Sequence, residues 1–248
     1  VAMGSGTDIA KDNSSMIITD DTFSSIVAGI EEGRFAYYNI RKVTYLLVST
    51  GAAEVILFTF SLIAHLPLPL LAVQLLWLNL VTKGIQHIGL AFEPGEKGAM
   101  ERPPRPPSQG LFNPLMISQI LVSSIVMGLI GFAAWYYLIS SGVEENTARN
   151  MAVLLFVLLE NVHVFNCRSE YVSAFKMPLK RNLFLVSSVI AAQALHQIAM
   201  NIPVLQEVLG LQPVTLSQWG ILLALACITV VIMEIFKLVW PRVDKSHQ

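Results

Sequence analysis

Gln74-Leu-Leu-Trp-Leu-Asn-Leu-Val-Thr-Lys-Gly84 sets a lysine, an asparagine and a threonine deep inside an apolar stretch that runs over 67–92. A lysine at the centre of a membrane-spanning helix costs about 2.5–3.5 kcal/mol on insertion scales. Lys83 therefore needs a partner, and residues of this kind commonly carry a function. Asn79, Thr82, Lys83 and His87 stand at i, i+3, i+4 and i+8, which is one face of a helix.

Outward from this stretch, five further apolar segments lie at 44–64, 114–139, 148–166, 183–205 and 217–240. A bilayer asks for about 20 apolar residues per helix. Composition agrees: 54% of residues are apolar and only 13% charged, with a mean hydropathy of +0.61. Soluble domains carry about twice that share of charge. The expected fold class is an all-α integral membrane protein, a six-helix transmembrane bundle. The breaks between spans are Pro-rich or charged, and the loop Glu101-Arg-Pro-Pro-Arg-Pro-Pro107 is expected to run extended and stiff.

Residues 1–43 read differently. Gly4, Gly6, Asp12, Asn13 and Ser14 are turn formers, and Met16-Ile-Ile-Thr19 fits a short strand. A helix begins near Asp20-Asp-Thr-Phe23, with Asp21 or Thr22 as its cap, and continues as a polar connector despite Gly33. No apolar signal segment is present in the first thirty residues, and Val1-Ala-Met-Gly4 reads as a chain cut in mid-domain. Cys167 and Cys227 lack metal-ligand spacing and are expected to be core-filling thiols.

Basic residues set the orientation. With the N-terminal segment on the cytoplasmic side, six spans place both termini there. That side then holds 14 of the 16 Lys and Arg, Arg149 lies opposite, and Lys83 lies within the membrane. The expected location is the plasma membrane with both termini cytoplasmic, lipid as a neighbour and no nucleic-acid partner.

Ionisable residues inside the spans become functional candidates. Glu54 lies near the middle of the first span. Glu160 and His163 share one face of the fourth. A buried carboxylate without a partner takes up a proton, so Glu54 needs a cation, a donor or a titration role. Gly51 and Gly84 flank Glu54 and Lys83 and mark places where a helix could break and free carbonyls. Oxygen ligands from Glu54, Asn79 and Thr82 suit a hard cation, whose identity the residues leave open. His196 is expected to be a neutral packing residue. Glu234 and Lys237 are expected to pair at the membrane edge.

These residues carry a resemblance. Met3-Gly-Ser-Gly-Thr-Asp-Ile-Ala-Lys11, Asp20-Asp-Thr-Phe-Ser-Ser-Ile26, Glu31-Glu-Gly-Arg34 and Tyr38-Asn-Ile-Arg-Lys42 resemble cation-transporting P-type ATPases of the calcium, sodium–potassium and proton group. Gln74-Leu-Leu-Trp-Leu-Asn-Leu-Val-Thr82 and Met100-Glu-Arg-Pro-Pro-Arg-Pro106 continue the match in order. The resemblance implies that 1–25 is the end of a cytoplasmic α/β phosphorylation domain and 26–43 a stalk helix. It makes 44–240 the fifth to tenth transmembrane helices and 241–248 a cytoplasmic tail. It implies that the stretch is the transport half of an ATP-driven pump, without the phosphorylated Asp or the nucleotide domain. ATP and Mg would be cofactors of the whole protein, with none bound in this stretch. The partners implied are a transported inorganic cation or proton and the N-terminal part of the same pump.

Carried over position by position, Glu54, Asn79, Thr82 and Glu160 match cation ligands. Gly51 stands where calcium pumps carry Asn, and His163 where Asn is common. Lys83 stands where most relatives carry Asp. That exchange alters the local charge by two units. Lys83 is expected to act as an internal counter-ion to Glu54 or Glu160, giving fewer ions per cycle or proton transport. His87 and His163 are secondary candidates. A channel or secondary transporter, or a pump paralogue that has lost transport, are the alternatives.

Overall fold

The computed structural model describes residues 1–95, 98–101, 104 and 110–244. Most of the Pro-rich loop, the basic residues at 97, 102, 105 and 245, and the second half of the expected tail lie outside the described residues. Two short strands, β1 (Ala2–Met3) and β2 (Ile17–Ile18), pair in parallel. Between them lies α1 (Asp8–Asp12), capped by the Thr7 hydroxyl, which accepts from the Ala10 amide. The expected strand is thus present. The next helix has no side-chain cap: Phe23 precedes it, and Asp21 adopts a φ of 53°. Asp20 shapes this entry instead, accepting from the Thr22 amide and the Ser25 hydroxyl.

Connector and first span are a single helix, α2 (Ser24–Ile63), which passes through Gly33 and Gly51 without interruption. It ends in a Schellman arrangement, with Leu66 N donating to Ser61 O and His65 at a φ of 54° in the place usually taken by glycine. The second span is not a regular helix. It is built from α3 (Ala72–Trp77), a π turn at Leu78–Thr82 and α4 (Lys83–Ala91). The irregularity lies ahead of Gly84 rather than at it, and none occurs at Gly51. The chain continues with α5 (Pro114–Ser140), α6 (Glu145–Cys167), α7 (Leu183–Ala199), α8 (Pro203–Leu209) and α9 (Leu216–Asp244). Asn113 caps α5 and Asn182 caps α7 through their side-chain oxygens. The fifth span stops at Ala199, short of the expected 205, because Pro203 cannot continue it and starts α8 instead.

Among the described residues, five helices are long and apolar enough to cross a bilayer, α7 when counted with the 3-10 turn at Leu179–Asn182 that leads into it; α3, the π turn and α4 together cover 72–91. The span carrying Glu160, Asn161 and His163 is the centre of the bundle. In α6, 83% of the apolar window is buried, against 28% in α9. A helix enclosed by protein can hold polar groups that a lipid-facing one cannot. Glycines permit close helix approaches. A Cβ on Gly128 would lie 2.6 Å from Ile56 on α2, and one on Gly89 would lie 2.7 Å from Ser188 on α7. Cys167 is buried as expected, whereas Cys227 is exposed on α9, where an apolar thiol faces outward at little cost. Glu234 and Lys237 both hold the segment after α6. Glu234 accepts from the Ala174 amide, and Lys237 donates to the carbonyls of Asn166 and Val172.

Candidate cation site

Three elements converge within the helix bundle: α2 at Glu54, the π turn with the first residue of α4, and α6 at Glu160. Lys83 is fully buried. Its ammonium donates to Glu54 Oε1 at 2.6 Å and to Asn79 Oδ1 at 3.0 Å. It also lies 3.4 Å from Glu160 Oε1. Thr82 Oγ1 stands 2.9 Å from Glu160 Oε2 and 2.8 Å from Leu78 O, so its one proton has an acceptor on the carboxylate and another on the wide turn. All four ligand candidates and Lys83 are therefore brought together.

A π turn opens the i→i+4 ladder and is frequent at functional sites. Here it supplies the departure from regular backbone that the glycines had led one to expect elsewhere. Glu54 and Asn79 form the open edge. Glu54 keeps 8% of its surface accessible and Asn79 is exposed, whereas Glu160 and Thr82 are fully buried. With both carboxylates ionised and Lys83 protonated, the cluster carries a formal charge of −1. Glu160 Oε1 makes no hydrogen bond, although it lies within ion-pair distance of Lys83.

The two secondary candidates stand apart. His163 Nε2 lies 2.9 Å from Ser49 Oγ, and its ring meets Tyr45 edge-on at 5.3 Å. His87 is half-buried, with Nε2 unpaired. The face of α4 that meets α6 is carried instead by Gln86, three residues after Lys83. Its Nε2 donates to Asn161 Oδ1 at 2.6 Å, and Asn161 Nδ2 passes the chain on to Gln193 Oε1 at 2.8 Å. His196 is fully buried and accepts from Trp77 Nε1 at 3.1 Å, as its packing role predicts. Sequence reading missed Gln86 and Gln193. The available signal was an uncharged amide on the Lys83 face and another on α7, neither unusual enough alone to single out.

A family model described as "Cation transporting ATPase, C-terminus" matches residues 67–239. A "Calcium-transporting ATPase" of Bacillus subtilis (strain 168) is 33% identical over 230 residues, which is 92% of this chain and 26% of that protein. The chain thus spans about a quarter of the length of this curated relative.

Proposed function

Because the chain belongs to the cation-transporting ATPases, as their C-terminal membrane part, we propose that it carries the transport site of an ATP-driven pump whose Lys83 occupies one cation seat. The single observation that carries this reading is the Lys83 ammonium. Glu54, Asn79 and Glu160 surround it at 2.6, 3.0 and 3.4 Å, as oxygen ligands would surround a metal ion. A divalent ion about 4 Å away would be repelled by about 8 kcal/mol, twice the unit-charge figure at an effective dielectric of 20. The remaining formal charge of −1 is matched by one monovalent cation or one proton at the open edge formed by Glu54 and Asn79.

The family match over 67–239 favours a pump over a channel or secondary transporter. In this reading 1–25 closes a cytoplasmic phosphorylation domain and 26–43 is the stalk. ATP and Mg act in the rest of the protein. The membrane is the plasma membrane, with both termini cytoplasmic. Arg41, Arg168, Arg181 and Lys237 support that orientation, since all four lie at or beyond the ends of the spans on the side assigned to the cytoplasm.

The test is ATP-driven uptake of Na+, K+ and Ca2+, with pH recorded, in vesicles holding the whole protein. Wild type is expected to move monovalent cations or protons and no Ca2+, and Lys83→Asp is expected to gain Ca2+ uptake. Unchanged Ca2+ stoichiometry in Lys83→Asp would refute the counter-ion role. Absence of any ion-stimulated ATPase would favour a paralogue that has lost transport.

A further inference from the structure

The π turn at Leu78–Thr82 is held on its N-terminal flank directly by α7, and on its C-terminal flank by Asn161 of α6, which α7 holds in turn. On the N-terminal flank, Trp77 immediately precedes the turn and donates to His196 Nδ1 at 3.1 Å. Because Nδ1 accepts, the imidazole is neutral and carries its proton on Nε2. On the C-terminal flank, Gln86 reaches Gln193 through Asn161, by bonds of 2.6 and 2.8 Å. Gln193 and His196 are three residues apart and so stand on one face of their helix. Gln86 and His196 are fully buried and Asn161 nearly so, which makes these bonds costly to lose. None of them involves Glu54, Lys83 or Glu160.

A π turn has a standing alternative, the regular α turn. Closing it would rotate one flank against the other by about one residue, roughly 100°. Asn79 lies within the turn and Lys83 just after it, so that rotation would carry one of them away from the cluster. Fixing both flanks to a third helix fixes their relative angle. We propose that α7, through Gln193 and His196, is a splint that holds the wide turn open and thereby sets the cation site. The two are positioning residues, and their effect on cations rests on reading the Glu54–Lys83–Glu160 cluster as that site.

The test uses the whole protein in membranes with His196→Leu, Gln193→Leu and both together. Faster amide hydrogen exchange over 75–83 is expected. The Na+, K+ or Ca2+ concentration giving half-maximal ATPase is expected to rise roughly ten-fold or more, the usual effect of removing an outer-layer partner. The maximal rate is expected to change much less. His196→Asn, whose side-chain oxygen can accept near the Nδ1 position, is expected to restore both readouts. Unchanged exchange in the variants overturns the splint, as does equal damage in His196→Asn and His196→Leu. If the double variant does not accumulate, the His196→Asn and His196→Leu pair decides. If no cation stimulates wild-type ATPase, the pump reading fails while the exchange experiment still judges the splint.

Discussion

Two buried ion pairs stand at opposite ends of α4. Lys83 opens the helix, and Glu93 follows its last residue by two positions. At the far end, Arg168 donates to Glu93 at 3.0–3.2 Å and to the carbonyls of Met177 and Pro178. Asn182 adds a 2.8 Å bond to Glu93 while capping α7. The two charged side chains are 1% and 0% accessible. All three guanidinium nitrogens donate, and both Glu93 carboxylate oxygens accept, one from Arg168 alone and the other from Arg168 and Asn182. The Lys83 cluster has the opposite character. Its ammonium is a point charge, Glu160 Oε1 lacks a hydrogen bond, and Asn79 and Glu54 keep an open edge. One pair is closed and fixes the ends of α6 and α7 against α4. The other leaves ligand capacity unspent. On the proposed reading, unspent hydrogen-bond capacity rather than burial is what sets the Lys83 cluster apart from the Glu93 pair.

Breaking the closed pair gives the largest effect. Glu93→Leu leaves the Arg168 guanidinium buried without its anion, and this costs about 3–5 kcal/mol of stability. Replacing both partners, Glu93→Leu with Arg168→Met, should recover most of the loss, since well-packed apolar substitutes for a buried pair are often neutral. Thermal unfolding of the whole protein in detergent measures both. A double variant as unstable as Glu93→Leu would mean that the pair does more than compensate charge.

The open cluster should respond in a different currency, ligand dependence. Lys83→Met leaves Glu54 and Glu160 facing each other without the ammonium. Ca2+ added to this variant should then raise its melting temperature, with a gain of about 2.7 kcal/mol at a hundred-fold excess over the dissociation constant. Wild type should show no such response. Equal stabilisation of both would show that Lys83 does not fill a cation seat, and the contrast between the two ion pairs would lose its functional half.

The contrast also marks what could be read in the chain beforehand. Spans were legible because apolar runs of bilayer length are a strong signal, and Glu54, Asn79, Thr82, Lys83 and Glu160 were legible as polar exceptions within them. The break in the second span was misplaced at Gly84, because a π turn needs no glycine and leaves no compositional mark on Leu78–Thr82. Arg168–Glu93 was invisible as a pair. The two residues are separated by 75 positions in loops whose charges read as ordinary membrane-edge residues. His163 shares a helix face with Glu160 by its spacing and is a secondary candidate on that ground. Yet α6 is surrounded on nearly all sides, so each of its faces meets a different neighbour, and His163 meets Ser49 and Tyr45.

An exposed pair supplies the lower bound of the series. Arg149, the lone basic residue on the side opposite the other loop charges, pairs with Glu145 one turn earlier on α6. Glu145 is 46% accessible, so water already solvates the carboxylate in the folded state and little is gained by pairing. Arg149 is also held by Leu68 O at 2.9 Å, which keeps the guanidinium in place when the carboxylate is gone. Glu145→Gln should therefore change stability by no more than about 0.5 kcal/mol, the usual value for an i,i+4 pair on a helix surface. Thermal unfolding at low and high salt checks this. A loss comparable to that of Glu93→Leu would show that accessibility does not rank these pairs, and that the ordering from closed to open to exposed has some other cause.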